Sequence, residues 1–247
     1  MRFNRAKSVT AVHARDSRRA AKGFTLLEML ISMSILVVIT GAVFEQIIVM
    51  QKNAARTGAK VDSDQQARAF VDQMVRDLHM AGYPKAEMYS SALDNTSPLV
   101  AAGVVSVSPT QIILEGDVNS DGFVESVNVV YVGTLAGDPG CPCIRRSAVQ
   151  KITGSPWAQP VSANYTETSG VVPPGFGPGQ AGADLFTFYD QNGNQLPVGA
   201  PTDISTQNGQ DFIRGIATVK INLSLLTDAG AGQIARTSLS ATARLNQ

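Results

Sequence analysis

Glu28 is the single ionisable residue within FTLLEMLISMSILVVITGAVF, residues 24–44. A charged carboxylate in such apolar surroundings is costly, and it becomes tolerable when a partner charge neutralises it. A second set of oxygen-bearing side chains lies in EGDVNSDGFVE, residues 115–125. There Asp117, Asn119 and Asp121 alternate, Gly122 follows, and Glu125 takes the ninth place counted from Asp117. This is the first half of a calcium loop, with Phe123 supplying its backbone carbonyl as a further ligand. The twelfth place holds Asn128 instead of Glu, and strand-like residues follow, so a helix–loop–helix site is excluded. A β-hairpin calcium loop closed by Glu125 and a metal-free Asp/Asn/Gly turn both fit these residues. No Lys or Arg occurs between Lys85 and Arg145, so nothing near in sequence neutralises Glu115, Asp117, Asp121 and Glu125. Ca2+ is the one cofactor these residues suggest. The stretch 190–194, Asp190-Gln191-Asn192-Gly193-Asn194, has fewer acids and reads as a plain hairpin turn.

Other chemistries are thinly supplied. The chain holds two histidines, and only His79 lies beyond the N-terminal basic segment. That is little material for a His-based triad or a zinc site, and no nucleophile–base pair or phosphate loop stands out. The sequence therefore reads as non-enzymatic. Cys141 and Cys143 flank one proline. An internal disulfide, a pair of free thiols and an intermolecular bond are all open to them, whereas two Cys alone are too few for zinc.

The elements that position Glu28 begin with a charge asymmetry. Residues 1–23 hold seven bases and one acid; the remaining 13 bases and 19 acids leave residues 24–247 at about −6. A basic head before an apolar run keeps the head cytoplasmic and sends the chain beyond the run across the membrane. The acidic remainder argues against nucleic acid as a partner. The 21 residues 24–44 span about 32 Å as a helix, enough for a bilayer's hydrocarbon core. An ordinary secretory signal ends in a small-residue cleavage site, and Glu45 and Gln46 stand where one is needed. Ser17-Arg18-Arg19 hints at a twin-arginine export signal, but Ala20-Ala21-Lys22 continues it poorly. Neither signal explains Glu28.

Gly23 followed by Phe24-Thr25-Leu26-Leu27-Glu28 and an apolar helix resembles the class III signal of type IV prepilins and pseudopilins. The resemblance implies that a prepilin peptidase cuts between Gly23 and Phe24 and methylates the new Phe24 amine. The helix is then retained, and Glu28 meets the terminal amine of a neighbouring subunit. MVRDLHMAGYP at the close of the helix, the Asp/Asn/Gly-rich turn and the late IRGIATVKINLSLL further resemble the PilW-like minor pilins.

The rest of the chain suits that architecture. Residues 51–81 contain no Pro, and Ala67, Phe70, Val71, Met74, Val75 and Leu78 form one apolar stripe at three- and four-residue spacing. Gly82 and Pro84 stop the helix. Gly41 weakens the apolar half, and the resemblance implies local loosening there in the filament, although no Pro accompanies it here. Short β-type runs follow at 99–107, 111–115, 125–132, 143–152 and 185–189, then a clear alternation through 213–226. After a Gly-rich turn, Leu239, Ala241, Ala243 and Leu245 alternate again, which predicts a terminal antiparallel hairpin packed on the helix stripe. Gly and Pro make 154–183 a long flexible loop.

The expected fold is α+β and type IV pilin-like: a long N-terminal helix, hydrophobic in its first half, packed on an antiparallel sheet. Its parts are a cleaved leader at 1–23, a membrane and assembly helix at 24–50, an amphipathic helix at 51–82, and a β-rich head at 83–247. The resemblance implies a minor pilin that starts or caps type IV pilus assembly. Its partners are the prepilin peptidase, the major and other minor pilins, and the inner-membrane assembly platform. It is inserted in the inner membrane with the head periplasmic, then carried into the fibre at the cell surface. A type II secretion minor pseudopilin shares the same signal. A membrane-tethered periplasmic binding protein or enzyme is the rival from another class.

Overall fold

The computed structural model describes residues 23–89, 93–133, 141–159, 165–171, 184–228 and 234–245. The chain divides into two compact units, Met1–Gln51 and Lys52–Gln247. Helix α1, Leu26–Met80, is continuous in secondary structure from one unit into the other and is unbroken at Gly41. In the first unit every described residue is exposed, including Leu26, Leu27, Leu30, Val37 and Phe44. The helix there is apolar on all sides, long and greasy enough to cross a membrane.

In the second unit α1 becomes one-sided. Ala67, Phe70, Val71, Met74 and Leu78 are buried, while Arg68, Asp72 and Arg76 stay outside that buried stripe. The helix ends at Met80, and Gly82 takes the left-handed φ of 83° that closes a helix most cheaply without a Cβ. Among the described residues ten strands follow: β1 Gly103–Val107, β2 Gln111–Gly116, β3 Glu125–Val132, β4 Cys143–Gln150, β5 Tyr165–Ser169, β6 Phe186–Tyr189, β7 Gln195–Leu196, β8 Thr202–Asp203, β9 Thr218–Asp228 and β10 Ile234–Arg244. A short helix α2, Gln207–Arg214, precedes β9. The strands make two antiparallel sheets, ordered β5-β4-β3-β2-β1-β8 and β10-β9-β6-β7. The stripe of α1 shares one core with Ile112, Leu114, Val127 and Val129 of the first sheet and Val219, Ile221, Leu223 and Leu225 of the second. Leu239, Ala241, Ala243 and Leu245 join that core, as the terminal alternation predicts. An α+β, pilin-like fold results.

Two ion pairs fix the helix end and the sheets. Asp77 on α1 is buried; its Oδ2 accepts from Nε of Arg146 on β4 at 2.8 Å and its Oδ1 from Gln73 Nε2 at 2.7 Å. Lys151, just past β4, is wholly buried, and its Nζ donates to Glu115 Oε2 at 2.6 Å, Val100 O at 2.9 Å and Asn95 O at 2.5 Å. All three ammonium donors are thus satisfied, which is what makes a buried lysine tolerable. Glu115 Oε2 also accepts from the Ala102 amide at 3.0 Å. Gly116 passes so close to α1 that a Cβ there would lie 2.3 Å from the Met80 carbonyl oxygen.

Four expectations need correction. β1 begins at Gly103 rather than residue 99, because the Ala101 and Ala102 amides are used by Pro84 O and Glu115. β4 stops at Gln150 because the next two amides turn aside, Lys151 to Val124 O and Ile152 to Gln159 Oε1. Ile213 and Arg214 belong to α2, not to a strand, and the ladder starts at Thr218. That helix is capped by the Thr206 hydroxyl, which accepts from the Gly209 amide at 3.2 Å. The stretch 154–183, expected as loop throughout, contains β5 at the edge of the first sheet; its parts at 160–164 and 172–183 lie outside the described residues.

Removing one partner of a buried pair leaves the other charge stranded. Lys151→Met should therefore cost about 3–5 kcal/mol of head stability in a denaturant titration. Adding Glu115→Gln, which removes the stranded charge and keeps an acceptor for the Ala102 amide, should recover most of it. A single variant that melts like the wild type contradicts this role.

Candidate functional site

Gly23, Phe24 and Thr25 precede α1 without regular secondary structure and are exposed. Thr25 begins the helix. Its carbonyl accepts from the Glu28 amide at 3.1 Å and the Met29 amide at 3.2 Å, and its hydroxyl accepts from the Glu28 amide at 3.2 Å. Glu28 thus sits in the first turn, three residues after the cap, where a carboxylate is favoured by the helix dipole. Two hydroxyls in the apolar run are used inside the helix: Ser32 Oγ donates to Glu28 O and Ser34 Oγ to Ile31 O, both at 2.8 Å. The Glu28 carboxylate is different. Among the described residues it meets no hydrogen-bond donor and no cation.

The family model for the prokaryotic N-terminal methylation motif matches residues 18–44. That match supports a type IV pilin-like or pseudopilin-like protein. Gly23, Phe24 and Glu28 all fall within it. It also brings in a prepilin peptidase as a partner and fits anchoring by the apolar helix. No curated protein and no solved structure matches the chain.

The acidic turn joins β2 to β3, whose last pair is Gly116 and Glu125. Asp117 is buried; its Oδ1 accepts from the Asp121 amide at 3.1 Å and its Oδ2 from the Gly122 amide at 3.0 Å. Asn119 Oδ1 accepts from the Asp121 amide at 3.0 Å, and Asp121 Oδ1 from the Phe123 amide at 2.8 Å. Glu125 Oε2 accepts from the Val118 amide at 3.1 Å. Ser120 at φ 61° and Gly122 at φ 89° let the backbone turn its amides inward. All five residues of the expected calcium loop therefore meet in one turn, and the oxygens of Asp117, Asn119, Asp121 and Glu125 take up its own N–H groups. Among the described residues no three His, Cys, Asp or Glu side chains are gathered as a metal site. The Asp117 amide in turn donates to Tyr83 O, and the Gly82 amide to Glu115 O, which ties the turn to the end of α1.

Glu115 departs from the acidic group. It is neutralised by Lys151, from 36 residues further on, which inspection of the nearby sequence missed. The register carries the signal: Glu115 faces Ser126, Ser126 faces Val149, and Lys151 is two residues beyond Val149 on the same face. Burial pushes the Glu115 carboxyl above its ordinary value, with Lys151 opposing the rise. Cys141 and Cys143 are joined to each other by a disulfide at the start of β4. His79, Ser120 and Asp121 line one open cleft with Tyr83, Lys85 and Met88. His79 makes no side-chain hydrogen bond to another described residue, so no base is set on that serine as nucleophilic catalysis requires.

Burial raises the Glu125 carboxyl above 4.5, the charges of Asp121 and Asp117 add to the rise, and the Val118 amide opposes it. A raised folded-state value stabilises the fold fully below 4.5 and is lost as pH climbs through it. Glu125→Gln removes that charge and keeps an acceptor for Val118. At pH 7 in chelator the variant should melt higher than the wild type, and the difference should close below about pH 4.5. Equal melting at pH 7 contradicts the electrostatic reading of the turn. The calcium expectation adds a separate outcome: calcium should raise the wild-type melting temperature and leave that of Asp121→Ala unmoved.

Proposed function

We propose that the chain is a minor pilin, a structural subunit that starts or caps type IV pilus assembly from the inner membrane. The observation that carries this is the exposed apolar helix with one carboxylate, unmet by any described residue of its own chain, inside a matched methylation motif. Cleavage between Gly23 and Phe24 removes the basic leader and creates a methylated α-amine at Phe24. A charged acid within a membrane helix costs about 2.5–3.5 kcal/mol near the bilayer centre and less toward the edge, where the first-turn Glu28 lies. An opposite unit charge at 4 Å returns about 4 kcal/mol at an effective dielectric of 20. Pairing Glu28 with the Phe24-type amine of a neighbouring subunit thus offsets the cost, and an unpaired helix does not.

The work of the protein is then association rather than catalysis. Apolar helices of this chain, the major pilin and other minor pilins pack side by side, and the inner-membrane platform supplies the motion. The head, held by its own core, is the part left facing the periplasm and later the cell surface. The acidic turn closes on its own amides at the end of α1.

Mass spectrometry of the mature protein tests the processing. The expected N-terminus is methylated Phe24; a mature chain starting beyond residue 44, or one retaining the leader in cells that make the peptidase, overturns the proposal. Glu28→Val should leave membrane insertion intact and reduce recovery in sheared fibres by an order of magnitude or more, on the scale of losing a paired buried charge. Undiminished recovery counts against the pairing. Recovery of the chain with secretion components instead of the major pilin identifies a pseudopilin.

A further inference from the structure

The first hydrogen bonds of α1 bear directly on the bond that the peptidase must reach, and their role in processing rests on the proposed cleavage between Gly23 and Phe24. In a helix the amide of residue i donates to the carbonyl of residue i−4. One more residue of helix would send the Glu28 amide to Phe24 O, and the next would send the Leu27 amide to Gly23 O. Gly23 O is the scissile carbonyl. Neither of those bonds forms among the described residues; the ladder opens instead with the Thr25 carbonyl. The Glu28 amide is already taken twice, by Thr25 O at 3.1 Å and by Thr25 Oγ1 at 3.2 Å.

Without the Thr25 hydroxyl the Glu28 amide keeps only the Thr25 carbonyl three residues back, and the Leu26 and Leu27 amides have no acceptor among the described residues. In an apolar segment at a membrane boundary such amides cannot stay bare. Two remedies exist: a side chain accepts from them, or the helix lengthens until its orphan amides reach water. Lengthening by one turn draws Phe24 and then Gly23 into the ladder. Their carbonyls become engaged, and the backbone at the scissile bond leaves the open conformation in which a peptidase can grip it. Gly23 has open space on the side where a Cβ would stand, so no described neighbour holds this bond open.

We propose that Thr25 is a positioning residue for processing: its hydroxyl ends α1 two residues after the scissile carbonyl and keeps the Gly23–Phe24 bond outside the helix for hydrolysis. Water adds across that amide, leaving a carboxylate on Gly23 and an amine on Phe24. The same cap fixes Glu28 in the first turn, exposed for the amine of another chain. One hydroxyl thereby sets both the bond that is cut and the acid that uses the product.

The test measures cleavage of the full-length precursor in membranes by prepilin peptidase, comparing wild type with Thr25→Val, Thr25→Ser and Thr25→Asn. Valine keeps the shape of threonine and cannot cap; asparagine changes the shape and caps as well or better. The cap predicts that valine slows cleavage about fivefold, the weight of one N-cap, while serine and asparagine restore it. Hydrogen exchange of the intact precursor in lipid nanodiscs should show protection moving toward Gly23 in the valine variant alone. Equal cleavage of the valine variant overturns the inference. So does slow cleavage of both valine and asparagine variants with serine restored, because the peptidase then reads the hydroxyl's shape. If the wild type itself is not cut at Gly23, the failure falls on the processing, and an unchanged exchange pattern in the valine variant still overturns the cap.

Discussion

A single carboxylate within the 21-residue apolar run 24–44 of an exposed helix sets the terms for the rest of this molecule. Beyond the dipole of its own first turn, the Glu28 carboxylate has no partner in the described part of its chain: the serines near it bond to helix carbonyls, and no described cation approaches it. Helices that are greasy on every side are at home in lipid or among other helices, and a charge on one is costly until something cancels it. The cost makes the helix selective. In the proposed function it discriminates between lying alone in a bilayer and lying beside a chain with a free amine, and that difference would be the physical content of assembly. Hydrophobic contact alone gives no such selectivity, since lipid tails are as apolar as leucine.

The second unit is governed by ordinary core formation with two electrostatic fastenings. Phe70, Met74 and Leu78 anchor the helix in a core built by both sheets. Asp77 and Arg146 tie the last turns of the helix to β4, and Glu115 and Lys151 tie the segment before β1 to the end of the first sheet. Glu115 and Lys151 are both buried, whereas buried Asp77 meets a half-buried Arg146, and loss of one partner in either pair strands a charge. The acidic turn hangs from this frame through the Asp117 amide on Tyr83 O, and its carboxylates are spent on its own backbone amides.

The legible parts of the sequence were those with a period. The three-and-four spacing of Ala67 to Leu78 and the alternation of Leu239 to Leu245 each report one buried face, and both faces lie in the core. The Glu28 register was legible because a lone acid among 21 residues of apolar run has so few physical explanations. What sequence hid was long-range. Lys151 finds Glu115 only once three strands are in register, and no local charge count reveals it. Helix α2 was obscured by its polar residues and by Gly209, whose missing side chain lets the helix press against the Asp203 backbone. β5 sits in a stretch where Gly and Pro suggested loop, and its ladder depends on β4 rather than on its own pattern. Within the site, the Thr25 cap was present in the letters Thr-Leu-Leu-Glu, a hydroxyl three residues before an acid.

The pairing of Glu28 with a foreign amine is open to a direct chemical measurement. Zero-length carbodiimide coupling of assembled membranes, made from cells of two isotopic labels, joins a carboxylate only to an amine already in contact. The pairing predicts an amide between Glu28 and the N-terminal residue of a different chain, recovered as a mixed-label peptide or as a peptide of another pilin. A Glu28 linkage found only to the Phe24 of its own chain, or no linkage where fibres have formed, contradicts it.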